Sequence, residues 1–495
     1  AAELVRLAQA TTGLPVTSST AVDLLVDGAA KYDALLADIA AAMHHVHLEY
    51  YIYEPDHTGA VLRDALVARA RAGVRVRLLM DFVGSGASRR FFAPLIEAGG
   101  EIAWFHPMRF GRVWQRPWTN LRTHRKIVVI DGRIGYTGGM NITDEQDERL
   151  RADAYRDLHM RMTGKSVRVL QLVFAEDWAY ATGRRDFLAE VEQQTPAADA
   201  GPVRTQILTS GPDSSWEAIH RAHVGAIHAA RERVWMTTPY FVPGEAAMMA
   251  LTSAALAGLD VRLLVPRVSD SWLVTLAARS YFGQLLVAGV KIYEYRSRML
   301  HSKSLLVDDH LAIIGSANFD HRSFRLNFEL SVLFDDVDIA TRLARLIESE
   351  FAHAPRVHRG RTRPLLSARL PEGGQDEVAD LSRRFNAAAE RVREILENAE
   401  NDHIGLRIGV KNGGCAGQEY TFAYADEIGP LDEVVEDKGV TILIEPKAVL
   451  FLIGAEIDYV TTKLSSKFVF NNPNQTDACG CGESVTIVPA AALDT

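Results

Sequence analysis

Two stretches of this chain, 177 residues apart, carry the same chemical groups in the same order. The first runs Leu121-Arg-Thr-His-Arg-Lys-Ile-Val-Val-Ile-Asp-Gly-Arg-Ile-Gly-Tyr-Thr-Gly-Gly-Met-Asn141. The second repeats it as His301-Ser-Lys303, Asp308, Gly315 and Asn318. One His-x-Lys-x4-Asp match arises by chance in roughly a few per cent of chains of ordinary composition. Two copies with the same glycine and asparagine behind them are a constraint on the fold. They predict two similar lobes meeting face to face, with both histidines across one cleft.

Within the first copy, Ile127 to Ile130 is β-branched and wholly apolar, the pattern of a strand buried on both faces. Side chains alternate along a strand, so His124 and Lys126 share a face at its start while Asp131 has the opposite parity. An imidazole beside an ammonium suits an anion. Gly138 and Gly139 let backbone approach a ligand, and the amides of Asn141 and Asn318 can bond phosphoryl oxygens. A second pair of strands, Tyr155 to Met162 and Asn327 to Val332, carries Asp157 and Glu329 in matching places. A buried carboxylate on a catalytic imidazole fixes its tautomer and stabilises the imidazolium, so both are read as histidine-orienting residues.

The remaining sequence gives the setting. Length suggests about three domains, and 47% hydrophobic content is ample for packed cores. The net charge of −9 is unevenly spread: from Asn386 onward there are 8 basic and 18 acidic residues, against 46 and 45 before it. The near-neutral first part has no basic tract to follow a polyanion, which argues against nucleic acid as a partner. No apolar run approaches bilayer-spanning length, so the chain as given reads as soluble. It starts at Ala1 rather than Met and has no signal-peptide pattern, which leaves room for a removed upstream segment.

Strands at His45 to Tyr53 and Val74 to Phe82 flank an amphipathic helix at Gly59 to Gly73, an alternation that predicts an α/β lobe with a largely parallel sheet. The second lobe starts near Val203. There Val234 to Thr238 leads into Pro239-Tyr-Phe-Val-Pro243, the echo of Tyr50-Tyr-Ile-Tyr53, and Val261 to Val265, Gly289 to Tyr295 and Ser304 to Val307 continue the sheet. The aromatic loops either flank a glycerolipid head group or fill the core. His44, His45 and His47 lack the cysteine or carboxylate company of a metal site, and neighbouring strand residues point to opposite faces. Gly84-Ser85-Gly86 reads as a turn at least as well as a phosphate loop.

Two histidines, two lysines and two asparagines around one cleft suit phosphodiester exchange through a covalent phosphohistidine. One imidazole attacks phosphorus while the other protonates the leaving alkoxide and later deprotonates the acceptor. Lys126, Lys303, Asn141 and Asn318 would neutralise the phosphoryl oxygens, a task other phosphoryl-transfer enzymes give to magnesium, so no cofactor is needed for the transfer.

These His-Lys-Asp segments resemble the signature of the phospholipase D superfamily. Within it, residues 1–385 resemble the soluble catalytic portion of bacterial cardiolipin synthases, through Leu48-Glu-Tyr-Tyr-Ile, Asn120-Leu-Arg-Thr-His-Arg-Lys, Pro239-Tyr-Phe-Val-Pro and Ser316-Ala-Asn-Phe-Asp-His-Arg-Ser-Phe-Arg-Leu-Asn-Phe-Glu329. The resemblance implies two pseudo-symmetric lobes, 1–200 and 201–366, with mixed sheets flanked by helices. It implies a phosphatidyltransferase that joins phosphatidylglycerol to a second phospholipid, giving cardiolipin and a small alcohol. His124 is then the nucleophile and His301 the acid and base. Asp131 and Asp308 belong to the catalytic signature, although their parity makes them structural anchors. Anionic phospholipids are the implied partners and the bacterial cytoplasmic membrane the implied location, peripheral here because the N-terminal membrane helices usual in such synthases are not seen. Arg356-Val-His-Arg-Gly-Arg-Thr-Arg363 reads as a solvated linker or as a contact for anionic head groups. The competing readings are a hydrolase of the same fold using water, and an iron–sulfur scaffold with idle lobes.

Pro371-Glu-Gly-Gly-Gln375 marks a linker, 367–385, before a different module that opens with the helical pattern Ala387 to Glu400. All three cysteines, Cys415, Cys479 and Cys481, lie there. An odd count with two of them one residue apart argues against disulfides and for thiolate ligation of metal. Val410-Lys-Asn-Gly-Gly-Cys415-Ala-Gly and Phe470-Asn-Asn-Pro-Asn-Gln-Thr-Asp-Ala-Cys-Gly-Cys-Gly-Glu483 resemble the A-type, HesB-like iron–sulfur carriers. The resemblance implies a small, mainly β domain over 386–495, consistent with Val440 to Ile444 and Lys467 to Phe470. Three thiolates fall short of ordinary four-cysteine ligation, which implies a cluster shared in a homodimer or an outside ligand. Cluster recipients or assembly proteins are the implied partners, in a reducing cytoplasm.

Overall fold

The computed structural model describes residues 2–106, 121–185, 187 and 200–358, and in the C-terminal region 404–412, 418–427, 429, 432–437, 440–445, 448, 456–461, 466–471, 475–478 and 485–487. The chain divides into two compact units, Ala1–Arg359 and Gly360–Thr495. The linker at 367–385, the helical pattern at 387–400, Asn120, the basic run beyond His358 and all three cysteines lie outside the described residues.

The first unit holds two sheets of matching order. One runs Ala21–Val26, Leu158–Thr163, Ile134–Gly138, Ile127–Ile130, His45–Tyr50, Arg75–Asp81 and Glu101–Phe105. The other runs Val203–Ser210, Asn327–Asp335, Leu311–Gly315, Ser304–Val307, Arg233–Thr237, Asp260–Pro266 and Lys291–Tyr295. Each sheet is mixed. The last three strands of each order are parallel and the others antiparallel, which corrects the expectation of a largely parallel sheet. The reason lies in a short turn. Asp131 and Gly132 both have positive φ, 53° and 63°, and the Arg133 N–H returns to Ile130 O at 3.0 Å. A primed turn of this kind suits the right-handed twist of a hairpin and sends the chain straight back. The second motif strand turns back at Asp308, φ 54°, and Val307 pairs antiparallel with Leu311.

The same aspartates stitch each hairpin to its neighbour. Asp131 accepts the backbone N–H groups of Met43, His44 and His45 at 2.8, 2.7 and 2.9 Å. Asp308 accepts those of Arg231, Glu232 and Arg233 at 2.9 to 3.1 Å. Five residues of strand separate Asp131 from Lys126, about 16 Å at 3.3 Å per residue, so the motif aspartate sits at the far end of the strand from the motif lysine.

One core runs between the two sheets. Helix Ser166–Thr182 follows the strand that starts next to Asp157 and Val337–Phe351 the strand that carries Glu329, and their Phe174, Trp178, Leu343 and Ile347 join Ile207, Trp235 and Leu306 in a single cluster. The outer faces are covered separately, the first by Asp27–Ala41 and His57–Arg71, the second by Ala218–Ala229 and Glu245–Leu256.

The N-terminal segment departs from the assignment of 1–200 to the first lobe. Helix Ala2–Thr12 buries Leu4 and Ala8 in the second lobe's outer core, and Thr17–Ser19 pairs antiparallel with Val203–Ser210 as an added edge strand. Nothing in a three-residue polar strand says which of two like sheets it joins; the buried leucine decides it. Described strands of the second unit form a six-stranded sheet, ordered Glu433–Asp437, Val440–Ile444, Gly405–Asn412, Gln418–Ala425, Val485–Ile487 and Gln475–Ala478, and a hairpin of Glu456–Thr461 with Ser466–Asn471. No described helix is long and apolar enough to cross a membrane.

Candidate active site

The two motif segments meet where the lobes exchange backbone. Arg122–Thr123 pairs in parallel with the start of Asn327–Asp335, and the His124 N–H donates to Phe328 O at 2.8 Å. On the other side the His301 N–H donates to Arg156 O at 2.7 Å. Each histidine is thereby held beside the carboxylate of the opposite lobe. His124 Nδ1 lies 3.0 Å from Glu329 and His301 Nδ1 lies 2.6 Å from Asp157. The crossing makes one site of two half-sites, since neither imidazole has its carboxylate within its own lobe.

Both carboxylates are buried, as are both imidazoles and both lysines. Lys126 Nζ donates to His124 O at 2.7 Å, and Lys303 Nζ donates to His301 O. Lys303 Nζ also lies 2.8 Å from His301 Nδ1. That nitrogen cannot donate to Asp157 and accept from Lys303 at once, and the shorter contact with a carboxylate assigns it the proton. With Nδ1–H bound to carboxylate, each neutral ring keeps its Nε2 lone pair for chemistry.

Burial dominates the electrostatics. It lowers the His124 imidazole to about 4, against the pull of Glu329 and with a push from Lys126. His301 is lowered by burial and by Lys303, against Asp157. The ammonium groups are depressed for the same reason, Lys126 to about 7 and Lys303 to about 8. Burial alone would raise Glu329, but His124, Lys126 and a hydrogen bond from the Ser316 hydroxyl outweigh it and hold the carboxyl at about 2. Asp157 is likewise held below the usual carboxylate range, Lys303 and His301 outweighing burial. A cleft with two ionised carboxylates, neutral imidazoles and depressed ammonium groups gains most from a ligand that brings negative charge.

Other predicted residues divide by role. The Asn141 side-chain oxygen accepts from Ile52 N–H at 3.2 Å, while Asn318 Oδ1 is buried with no hydrogen-bond partner among the described residues. Tyr51 sets its ring edge against His124, centroids 5.0 Å apart, and Tyr155 tilts over His301 at 5.4 Å. Tyr50, Tyr53 and Phe241 are core, while Tyr51 stands at a motif histidine. Gly139 has no room for a side chain, since a Cβ there would meet Asp157 Oδ1 at 2.2 Å. His45 and His47 stack on one another and bond Gln171, which places them in the packing of the first sheet rather than in the cleft. Gly84-Ser85-Gly86 is a turn whose Gly84 N–H goes to Asp81.

Sequence reasoning missed Lys31. This fully buried lysine donates to Asn141 O at 2.8 Å, and its ammonium lies over the Tyr32 and Tyr50 rings at 4.5 and 4.9 Å. Its only sequence signal is a charge on the apolar face of Asp27–Ala41. Also missed were Arg125, buried against Asp177 at 2.5 Å, and Thr123, whose hydroxyl bonds Glu49 at 2.6 Å. Both brace the backbone on either side of His124.

Comparison with known proteins gives the family. Residues 35–153 and 224–352 match the family described as cardiolipin synthase, PLD-like domain, and residues 386–483 match that described as iron–sulphur cluster biosynthesis. The chain is 42% identical over 353 residues to a cardiolipin synthase of Geobacillus kaustophilus, covering 71% of this chain and 70% of that one. It is 41% identical over 339 residues to the major cardiolipin synthase of Bacillus subtilis, covering 68% and 69%. Among solved structures it is similar in fold to the phosphatidylserine synthase of Haemophilus influenzae, with a TM-score of 0.58 at 14% identity over 78% of this chain and 98% of that one.

Proposed function

Because the chain belongs to the cardiolipin synthase, PLD-like family, and so to the phosphatidyltransferases, we propose that it moves a phosphatidyl group from phosphatidylglycerol to a second phospholipid through a phosphohistidine. The observation that carries this reading is the crossed pairing of two imidazoles with two carboxylates, His124 with Glu329 and His301 with Asp157.

In the first step His124 Nε2 attacks phosphorus, forming a P–N bond as the bond from phosphorus to the glycerol oxygen breaks. The negative charge of the bound donor favours the His301 imidazolium, which gives its Nε2 proton to that oxygen, and glycerol leaves. In the second step the hydroxyl oxygen of the acceptor phospholipid attacks phosphorus, His301 takes the hydroxyl proton, and the P–N bond breaks to give cardiolipin. Glu329 stabilises the positive charge that His124 carries while phosphorylated, and Asp157 stabilises the His301 imidazolium. Lys126, Lys303 and Asn318 face the phosphoryl oxygens, where donors gathered in a water-poor cleft act most strongly. Lys31 and Asn141 hold the loop beneath them. Asp131 and Asp308 take no part in proton or phosphoryl transfer.

Phosphatidylglycerol vesicles with a radiolabelled phosphate test the scheme. The expected products are cardiolipin and glycerol, and a rapid quench in alkaline denaturant, where a P–N bond survives, traps label on His124, located by peptide mass analysis. Phosphatidic acid without cardiolipin would reject the transferase, and label absent from histidine would reject the covalent route.

For the C-terminal domain we propose that an iron–sulfur cluster is cargo, carried on Cys415, Cys479 and Cys481. The donor set fits, because thiolates are the usual ligands of such clusters, and three thiolates against four ligand positions call for a second chain or an outside ligand. Reconstitution with ferrous iron and sulfide tests it by visible absorbance, with Cys415→Ser expected to abolish the signal.

A further inference from the structure

Behind the His301 half of the cleft lies an ion cluster that the transfer scheme does not use. Arg156 bonds Asp27 at 2.6 Å through Nη1, and Glu350 at 2.7 Å through Nε and 2.5 Å through Nη2. Arg298 closes the group with a 2.6 Å bond to Asp27. Asp27 and Arg156 come from the first lobe, Arg298 and Glu350 from the second, so the cluster ties one lobe to the other. Asp27 sits at φ 65°, an uncommon conformation for a residue with a side chain, and from there exchanges backbone with the next residue along: Asp27 N–H to Asp157 O at 3.0 Å, and Asp157 N–H to Asp27 Oδ1 at 3.2 Å. The Arg156 main chain is held as firmly, its N–H to Met299 O at 2.8 Å and its carbonyl to the His301 N–H at 2.7 Å. Every bond in this set fixes the peptide that carries the Asp157 carboxylate.

The other half of the site is built differently. The residue before Glu329 is Phe328, whose ring packs against Phe105 at 5.1 Å and Tyr180 at 6.2 Å, with the Arg125 guanidinium 5.6 Å above it. An ion cluster that spans the two lobes backs Asp157, whereas Glu329 is backed by aromatic rings and by the Arg125–Asp177 pair, whose Arg125 Nε donates to Glu329 O at 3.3 Å.

We propose that Arg156, clamped between Asp27 and Glu350, is a positioning residue for the acid–base histidine: it sets Asp157 against His301 and leaves His124 to its aromatic wall. The inference rests on the transferase reading. Loosening the clamp weakens the support of Asp157 for the His301 imidazolium. The other groups facing that ring, Lys303, Lys126 and Tyr155, offer no negative charge to replace it. The protonated acid is then lost at lower pH, so the alkaline limb of kcat moves down.

Arg156→Met, Arg156→Lys and Glu350→Gln are compared in the full chain with two donors, phosphatidylglycerol and a phosphatidyl ester of p-nitrophenol. Glycerol needs a proton to leave and nitrophenolate does not. We expect Arg156→Met and Glu350→Gln to lower kcat on phosphatidylglycerol roughly ten-fold or more, within the range general acid catalysis supplies. The first-turnover burst of nitrophenol, KM and phospho-adduct formation on His124 stay near wild type, the alkaline limb shifts down, and Arg156→Lys recovers part of the loss. Equal loss on both donors, or no loss on either, overturns the proposal. Should Arg156→Met fail to fold, Glu350→Gln and Arg156→Lys decide by the same ratio. His301→Ala separates the levels of failure: if it keeps phosphatidylglycerol turnover the transferase scheme falls, and if it loses turnover while the clamp variants do not, only the clamp falls.

Discussion

Binding of a phosphate-like anion should pull protons into the cleft. With Lys126 at about 7 and Lys303 at about 8, the free enzyme at pH 8 holds Lys126 about one-tenth protonated and Lys303 about one-half. A bound dianion favours the charged form of each, raising both values, so full protonation takes up about 1.4 protons per site. The sign is fixed by burial: these amines are depressed because their charge is desolvated, and an anion restores the missing partner. Tungstate is the probe, because it is fully ionised at pH 8 and brings no proton of its own. Titration calorimetry in buffers of different ionisation enthalpy reads the proton count as the slope of observed enthalpy against buffer enthalpy. Lys126→Met should leave only the Lys303 share, a slope of about 0.5. A slope near zero at pH 8 in the wild-type protein would refute the reasoning.

Other outcomes follow from the same geometry. Glu329→Gln should lower cardiolipin formation at least about 100-fold, because a neutral amide cannot stabilise the charge on His124, with little change in KM. Asp131→Ala leaves three backbone N–H groups without their acceptor and should cost about 2–3 kcal/mol of unfolding free energy in urea at about 1 kcal/mol each, while kcat per folded molecule is unchanged. Gly139→Ala should displace Asp157, which a Cβ would meet at 2.2 Å, and so lower kcat while leaving His124 able to form its adduct with the nitrophenyl donor. Between pH 6.5 and 4 the unfolded chain binds a proton at His124 that the folded chain refuses. Stability therefore falls as pH drops through that window, and His124→Gln should flatten that part of the pH–stability curve.

How far the sequence reached depended on whether a feature repeats. The cleft was legible because His124, Lys126, Asp131 and Asn141 recur at one offset, and because Asp157 and Glu329 stand in matching places on strands that follow. The mixed sheet follows from the family resemblance and from the hairpin signal Asp131-Gly132, whereas the alternation of helix and strand early in the lobe, taken alone, speaks for parallel pairing. Lys31 has no counterpart in the second lobe's pattern and looks like any charge on a helix, so only its burial beneath Asn141 reveals it. Arg156 was read as one residue of a strand; the cluster it joins gathers residues 27, 298 and 350, and no local pattern links such distant positions.

Duplication supplies two equal histidines, and the reaction needs two unequal ones. The surroundings supply the difference. Glu329 divides its charge among His124, the Ser316 hydroxyl and the Asn327 amide at 3.2 Å, and stands 3.0 Å from the imidazole. Where the second lobe has Ser316, the first has Gly139, so Asp157 receives no hydroxyl and closes on His301 to 2.6 Å. A carboxylate that takes two further side-chain donors supports an imidazolium less than one whose other bond is a single backbone N–H, from Leu158 to Asp157 Oδ1 at 2.7 Å. That favours His124 as the ring that stays neutral and attacks, and His301 as the ring that carries the proton. Gly139→Ser combined with Ser316→Gly exchanges these surroundings, and the crowding at Gly139 makes Ser316→Gly alone the cleaner half of the test. Freed of the serine, Glu329 should hold His124 more tightly in its protonated form, so the acid limb of adduct formation should move to higher pH. An acid limb that stays in place would mean that the hydroxyl has no part in telling the two histidines apart.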